Sequence, residues 1–338
     1  FKIEDIIEVN NKVTDPPNIV FILADDLGYG DVGYNEVTKI QTQNIDRLAS
    51  EGVVFNNFYA PSSICTPSRL GFLTGRYALR QGVAYPFHHV NQSLVMNIGN
   101  RLVNTLGAVD MRGENNIING IMSSEVTIPE ILKLANYTTG VVGKWHLGTI
   151  SQDFQFHPFN HGFDFFYGLE ASNDDWPVAA YDQDKKITED IGLDQEHLTQ
   201  AFTDAAKGFI NSNKAEPFFL YFAHKDPHQP FYPSKDFKGK SKGGAYGDAV
   251  EEFDHSVGQV LDLLKELNLE ENTIVIVTSD NGPWFEGNAC NLRGRKGQVY
   301  EGGYRVPFII RYPKKLKEHY ETSIPAMGID LLPTLVEE

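Results

Sequence analysis

Two pairs of hard oxygen donors, Asp25-Asp26 and Asp280-Asn281, each stand just past an apolar run, NIVFILA over 18–24 and TIVIVT over 273–278. Oxygen-only ligands suit a hard cation, Ca²⁺ or Mg²⁺, whereas Zn²⁺ usually recruits His or Cys. Either pair alone is also ordinary turn material, because Asp, Asn and Gly satisfy turn backbone locally. Together on one rim they favour a metal. Cys65-Thr66-Pro67-Ser68-Arg69 opens a helix with Pro at an early position. That puts the thiol beside an Arg at a helix N-terminus, a setting that stabilises anions and activates thiols. By spacing alone Cys65 could equally be a nucleophile, a small buried apolar residue or half of a disulfide. Lys144 and His146 lie two residues apart, on one side of the chain if it is extended. His224 and His228 occupy a proline-flanked loop, and Arg295-Lys296 a glycine-rich one. A cation ringed by Arg69, Lys144, His146, His228 and Lys296 describes a pocket for a compact, multiply charged oxyanion ester, sulfate or phosphate.

The elements that must position these residues alternate between helical patterns and buried strands. Strands are expected at 18–24, 53–59, 138–143, 218–223, 273–278 and 306–311. Helices are expected at 44–51, ended by Gly52, at 127–136 and at 196–211. In the second of these, Thr127 caps, Pro129 sits in the first turn and Glu130 completes a capping box. Residues 249–267 place Val250, Phe253, Val257, Val260, Leu261, Leu264 and Leu267 on one stripe, an amphipathic helix. Such alternation predicts an α/β fold: a large mixed, mostly parallel sheet sandwiched by helices. Ligands then gather at the carboxyl ends of the strands, where all four polar signals fall. Residues 81–124 and 235–247 read as surface excursions, and 327–338 opens like a helix that the end of the sequence interrupts.

Composition narrows the function further. A net charge of −16, with 29 Lys+Arg against 45 Asp+Glu, excludes nucleic acid as the main partner. It leaves room for an anionic substrate in a local cationic cleft. No apolar run approaches the length of a transmembrane helix.

The order and wording of the motifs are more specific still. PNIVFILADDLGYG at 17–30, C-x-P-S-R at 65–69 with L-T-G-R at 73–76, GKWHLG at 143–148, HGFDFFYG at 161–168, SDNGPW at 279–284 and KGQVYEGGYRVP at 296–307 run through nearly the whole chain. In this the sequence resembles the formylglycine-dependent sulfatases of the arylsulfatase type, within the alkaline-phosphatase-like superfamily. The resemblance implies that 1–338 is the catalytic domain, with the family's small C-terminal domain absent from this sequence. It implies that a formylglycine-generating enzyme oxidises Cys65 and that the hydrated aldehyde sits on a metal, Ca²⁺, held with Asp25, Asp26, Asp280 and Asn281. One hydroxyl attacks sulfur while Arg69 keeps the carboxylates in register. Lys144 and Lys296 clamp the sulfate oxygens, His228 attends the leaving oxygen, and His146 takes the proton whose removal expels sulfate.

A sulfated small molecule or glycan is the implied substrate. Phosphodiester or phosphonate hydrolysis, and a non-catalytic structural or glycan-binding role, are the alternatives. Conversion of Cys65 would rule out a 65–290 disulfide and leave Cys290 odd. The sequons at Asn91 and Asn136, the acidic balance and the resemblance point to a secreted, lysosomal or lumenal glycoprotein, compatible with a homo-oligomer. Ser172-Asn173-Asp174 departs from the Ser-His-Asp usual in animal arylsulfatases, so one pocket side chain differs.

Overall fold

The computed structural model describes residues 15–35, 39–87 and 120–337. Among these, ten strands form one sheet whose order is β11-β2-β10-β9-β1-β8-β4-β5-β6-β7. The strands are β1 (Asn18–Ala24), β2 (Val53–Phe55), β3 (Phe58–Tyr59), β4 (Thr138–Lys144), β5 (Phe165–Leu169), β6 (Ala180–Asp182), β7 (Lys185–Thr188), β8 (Phe218–Ala223), β9 (Thr273–Ser279), β10 (Phe308–Arg311), β11 (Tyr320–Thr322) and β12 (Ala326–Met327), with β3 and β12 paired apart from the rest. The central five, β9-β1-β8-β4-β5, are parallel. Antiparallel pairing enters at β10 and β6.

The period of two along each central strand sorts side chains between two cores. Ile19, Phe21 and Leu23 of β1 face one layer with Phe219 and Tyr221 of β8. Val20, Ile22 and Ala24 face the other with Phe218, Leu220 and Phe222. Helices α2 (Cys65–Thr74), α3 (Ile128–Leu134) and α7 (Leu331–Glu337) cover the first layer. Helices α1 (Gln43–Ser50), α4 (Leu198–Asn213) and α5 (Gly244–Glu266) cover the second, and a short α6 (Glu301–Tyr304) follows the β9 loop.

The expected sandwich is therefore present. The predicted capping box also forms, with Thr127 N–H donating to Glu130 at 2.8 Å. Two of the expected segments are divided differently. The run at 53–59 divides into β2 and β3, which join different sheets. Part of the 235–247 excursion is helix, because α5 starts at Gly244. Gly247 packs so closely there that a Cβ would meet Ser241 Oγ at 2.4 Å, so packing overrides the poor propensity. Of the 81–124 excursion, 88–119 lies outside the described residues, as does Asn91, while Phe87 reaches the rim described next, its N–H donating to Thr66 Oγ1 at 3.3 Å.

Candidate active site

The parallel order brings the ends of β9, β1, β8 and β4 side by side, and the chemistry-bearing residues follow them. Asp25 and Asp26 leave β1, Asp280 and Asn281 leave β9, Lys144 ends β4, and the loop after β8 carries His228. All of these are buried. Asp26 adopts left-handed backbone, φ 67°, held by its own N–H donating to Asp280 Oδ1 at 3.2 Å and by Asn281 Nδ2 donating to its Oδ1 at 2.7 Å. Ligand atoms of Asp25, Asp26, Cys65 and His228 lie within 4.8 Å of one another.

Cations enclose this cup. Arg69, fully buried on α2, donates through Nε to Asp280 Oδ2 at 2.9 Å and through Nη1 to the Lys144 carbonyl at 2.9 Å. Its Nη2 stands 2.9 Å from Asp280 and 3.5 Å from Asp25. Lys144 Nζ donates to Asp25 Oδ2 at 2.5 Å and to Ser172 Oγ at 3.0 Å. Lys296 Nζ donates to Asp26 Oδ2 at 2.7 Å. His228 donates through Nδ1 to the Gln229 carbonyl, leaving Nε2 turned toward Asp26 Oδ2 at 3.6 Å.

Charge crowding shows in the acidities. Burial alone would raise Asp25, but Lys144, His228 and Arg69 hold it well below the usual carboxylate range. Asp280 is pushed up to about 7, by burial first and then by the neighbouring Asp25 charge. Burial opposes the charge on Lys144 and Lys296, yet Asp25 and Asp26 respectively raise both. Burial, then Lys296, lowers His228.

Burial outweighs the helix terminus at Cys65. Its Sγ lies 3.4 Å from Asp25 Oδ1, and burial pushes the thiol well above its ordinary value despite Lys144 and Lys296. An unmodified Cys65 is thus a neutral thiol, not the activated one its helix position suggested. Neither cysteine is in a disulfide. His146 departs from the extended backbone assumed for it, with φ 54°. Its Nε2 donates to the Phe87 carbonyl at 3.1 Å and stands 3.9 Å from Asp175, while Thr66 Oγ1 holds its carbonyl at 2.9 Å.

The donor set fits a hard cation. Asn281 Oδ1 is buried and lacks a hydrogen-bond partner while its Nδ2 is doubly engaged, an orphan that a metal ion would satisfy. Three buried carboxylates converge on the same space. Residues 25, 26, 280 and 281 could hold such an ion with the side chain at 65.

Sequence reading did not single out Thr66, Asp175 or Asp226 as support. The Asp226 carbonyl accepts from Asp25 N–H at 2.9 Å, and its carboxylate binds buried Lys225 at 2.7 Å. Only the unusual charge pair inside a proline-bounded loop hinted at it.

A parallel-centred sheet under two helical layers, with carboxylates and cations clustered past its strand ends, defines an α/β protein with a charged centre built for an oxyanion. Residues 17–337 match the profile of the family described as Sulfatase. The chain is 35% identical over 370 residues to mouse (Mus musculus) N-acetylgalactosamine-6-sulfatase, covering 95% of this chain and 66% of that protein. A solved structure titled for the metabolism of multiple glycosaminoglycans by Bacteroides thetaiotaomicron superposes with a TM-score of 0.80 at 31% identity, covering 96% of this chain and 77% of that one. A sulfatase from Pseudoalteromonas sp. gives 0.80 at 26%, covering 95% and 67%. The chain belongs to the sulfatase family. It spans 57% to 66% of the length of the mouse, dog and human N-acetylgalactosamine-6-sulfatases it matches. Among the described residues no helix is long and apolar enough to cross a membrane.

Proposed function

We propose that the protein hydrolyses sulfate esters to alcohol and inorganic sulfate, with a carbohydrate sulfate as substrate. The observation that carries this is the cup itself: three buried carboxylates and an orphaned amide oxygen, enclosed by Arg69, Lys144 and Lys296 and facing residue 65. A scaffold has no physical need to crowd like charges in this way. The carbohydrate assignment is supported by the name of the mouse relative. An oxygen-only donor set favours Ca²⁺, which when bound polarises sulfate oxygens and acidifies an adjacent hydroxyl.

Cys65 is taken to be the site of oxidation to formylglycine by a formylglycine-generating enzyme, which fits a lumenal or secretory route. The hydrated aldehyde supplies the attacking hydroxyl that a neutral, buried thiol does not. Arg69 ties α2 to β9 and β4, so the side chain at 65 faces the carboxylates in one register. Lys144 and Lys296 bind the sulfate oxygens and offset charge as it builds. His228 Nε2 points into the cup and, with Lys296, steadies the departing oxygen. Because His146 Nε2 must donate to the Phe87 carbonyl, Nδ1 is the basic atom and accepts the proton whose loss releases sulfate.

The test is turnover of 4-nitrophenyl sulfate with Ca²⁺ present, alongside the mass of the tryptic peptide 48–69. Formylglycine makes that peptide about 18 Da lighter than the thiol form. A light peptide with turnover supports the reading. An unmodified thiol in protein from its native source, with no turnover, sinks it.

A further inference from the structure

The two loops flanking the cup differ in charge and in surface. The segment after β5, residues 174–194 with the hairpin β6–β7 inside it, holds seven acidic residues against two lysines. The loop after β9, residues 283–300, holds Arg293, Arg295 and Lys296 against Glu286 alone. In the sheet order these strands lie on opposite sides of β1 and β8, so an anionic chain meets repulsion on one side and attraction on the other.

The basic side also presents aromatic surface beside the reacting centre. Lys296 N–H donates to the Pro283 carbonyl at 3.0 Å, which sets Trp284 next to the residue whose Nζ reaches Asp26. Gly297 N–H, bonded to the Ser63 carbonyl at 2.7 Å, ties the same loop to the approach to Cys65. Trp284 is 36% and Phe285 67% exposed, their rings edge-to-face with centroids 4.8 Å apart. Arg295 donates through Nη1 to both of their carbonyls, at 2.9 and 3.2 Å, and its guanidinium lies 5.3 Å from the Phe285 ring centre. The step is rigidly bonded yet open, the profile of a ligand surface and not of a frayed turn.

We infer that Trp284, Phe285 and Arg295 form a subsite for the sugar residue next to the sulfated one, and that this neighbour carries an anionic group, a carboxylate or a second sulfate. The inference rests on the sulfatase reading. The ring face of the neighbour lies on the aromatic step, and the guanidinium takes its anionic group by charge-assisted hydrogen bonds. An anionic glycan therefore leaves the centre toward β9. The site thus selects a polyanionic glycan, sulfated at the reacting residue and charged at the next.

The test compares kcat/KM on three substrates with the whole mature protein, loaded with Ca²⁺. These are 4-nitrophenyl sulfate, the monosaccharide N-acetylgalactosamine 6-sulfate, and a chondroitin 6-sulfate trisaccharide ending in that sulfated sugar. Wild type is expected to prefer the trisaccharide to the monosaccharide by about tenfold or more, the worth of one stacked and charge-paired residue. In Trp284→Ala and, separately, Arg295→Ala, that ratio falls toward one, and the wild-type preference shrinks as salt rises. If 4-nitrophenyl sulfate is hydrolysed but wild type shows no trisaccharide preference, or the variants keep it, the subsite is overturned and the sulfatase reading stands. If wild type hydrolyses none of the three, the sulfatase reading fails and the subsite with it.

Discussion

Two groups of buried acids in this molecule look alike by burial and differ in everything around them. Asp254 on α5 is buried, and burial raises it to about 6. It accepts from Asn44 N–H at 3.0 Å, Ile45 N–H at 2.8 Å and Asn44 Nδ2 at 2.8 Å, which fixes the first turn of α1. Two of the three donors are backbone N–H groups at the start of α1, and the carboxylate faces donors that need it. In the cup, Asp25, Asp26 and Asp280 face one another, each draws at least one cation, and an amide oxygen is left unpaired among them. A buried acid that satisfies a helix end is architecture. Buried acids that fail to satisfy one another are waiting for something else.

The sharpest way to break this contrast is at residue 65. Cys65→Ala should remove sulfate ester turnover by at least about 10⁴-fold, measured as kcat, with the melting temperature nearly unchanged. Retained turnover would return the cup to the architectural class. The Lys225–Asp226 pair tests the middle ground, since it is buried and charged yet internally paired. Lys225→Met leaves the buried Asp226 carboxylate with Thr199 and His224 but no lysine, and should cost about 3 kcal/mol of unfolding free energy in urea titration. A loss below about 1 kcal/mol would mean that water or a rearrangement reaches the carboxylate.

Calcium binding sharpens the comparison through protons. Asp280, at about 7, must shed its proton to ligate, so binding should release protons and the affinity should weaken as pH falls through 7. Calorimetry in two buffers of different ionisation heat reads the release directly, and no difference between buffers would contradict it. The smallest effect belongs to Asp254→Ala. Loss of the helix-end acceptor should cost about 1–2 kcal/mol while kcat stays at its wild-type value. In the wild type this raised carboxyl holds a proton between about pH 4 and 6 that the unfolded chain has lost. Its contribution to stability is therefore present at low pH and fades as pH rises toward 6. The stability gap between wild type and Asp254→Ala should narrow over that window.

Much of this was legible in the residues. The strands NIVFILA, TIVIVT and FFLYFA announce themselves because both faces are buried, and donors past their ends then share a rim. Positions 25, 26, 65, 69, 144, 228, 280, 281 and 296 do converge. What could not be read has physical causes. The hairpin β6–β7, YDQDKKIT in its centre, is an edge pair whose charged residues mask alternation, and β11 is a three-residue edge. The start of α5 hid behind Gly244, which has a left-handed φ of 70°, and the closely packed Gly247. The left-handed turns at Asp26 and His146 depend on partners far away in sequence, which no local pattern encodes.

The strand order has a further consequence, in time instead of space. β1 and β9 are neighbours, but Asp25 and Asp280 are 255 residues apart. As the chain emerges from synthesis, Asp25, Arg69 and Lys144 are made early, and Asp280, the main partner of Arg69, arrives after most of the described chain. Until β9 docks between β1 and β10, the guanidinium has no closing partner and α2 has no clamp on its second side. Cys65 is 2% exposed once folding ends, so the oxidation proposed for it has to reach the side chain before then. On that proposal the late strand acts as a clock, and its arrival closes the interval during which the side chain at 65 can be altered.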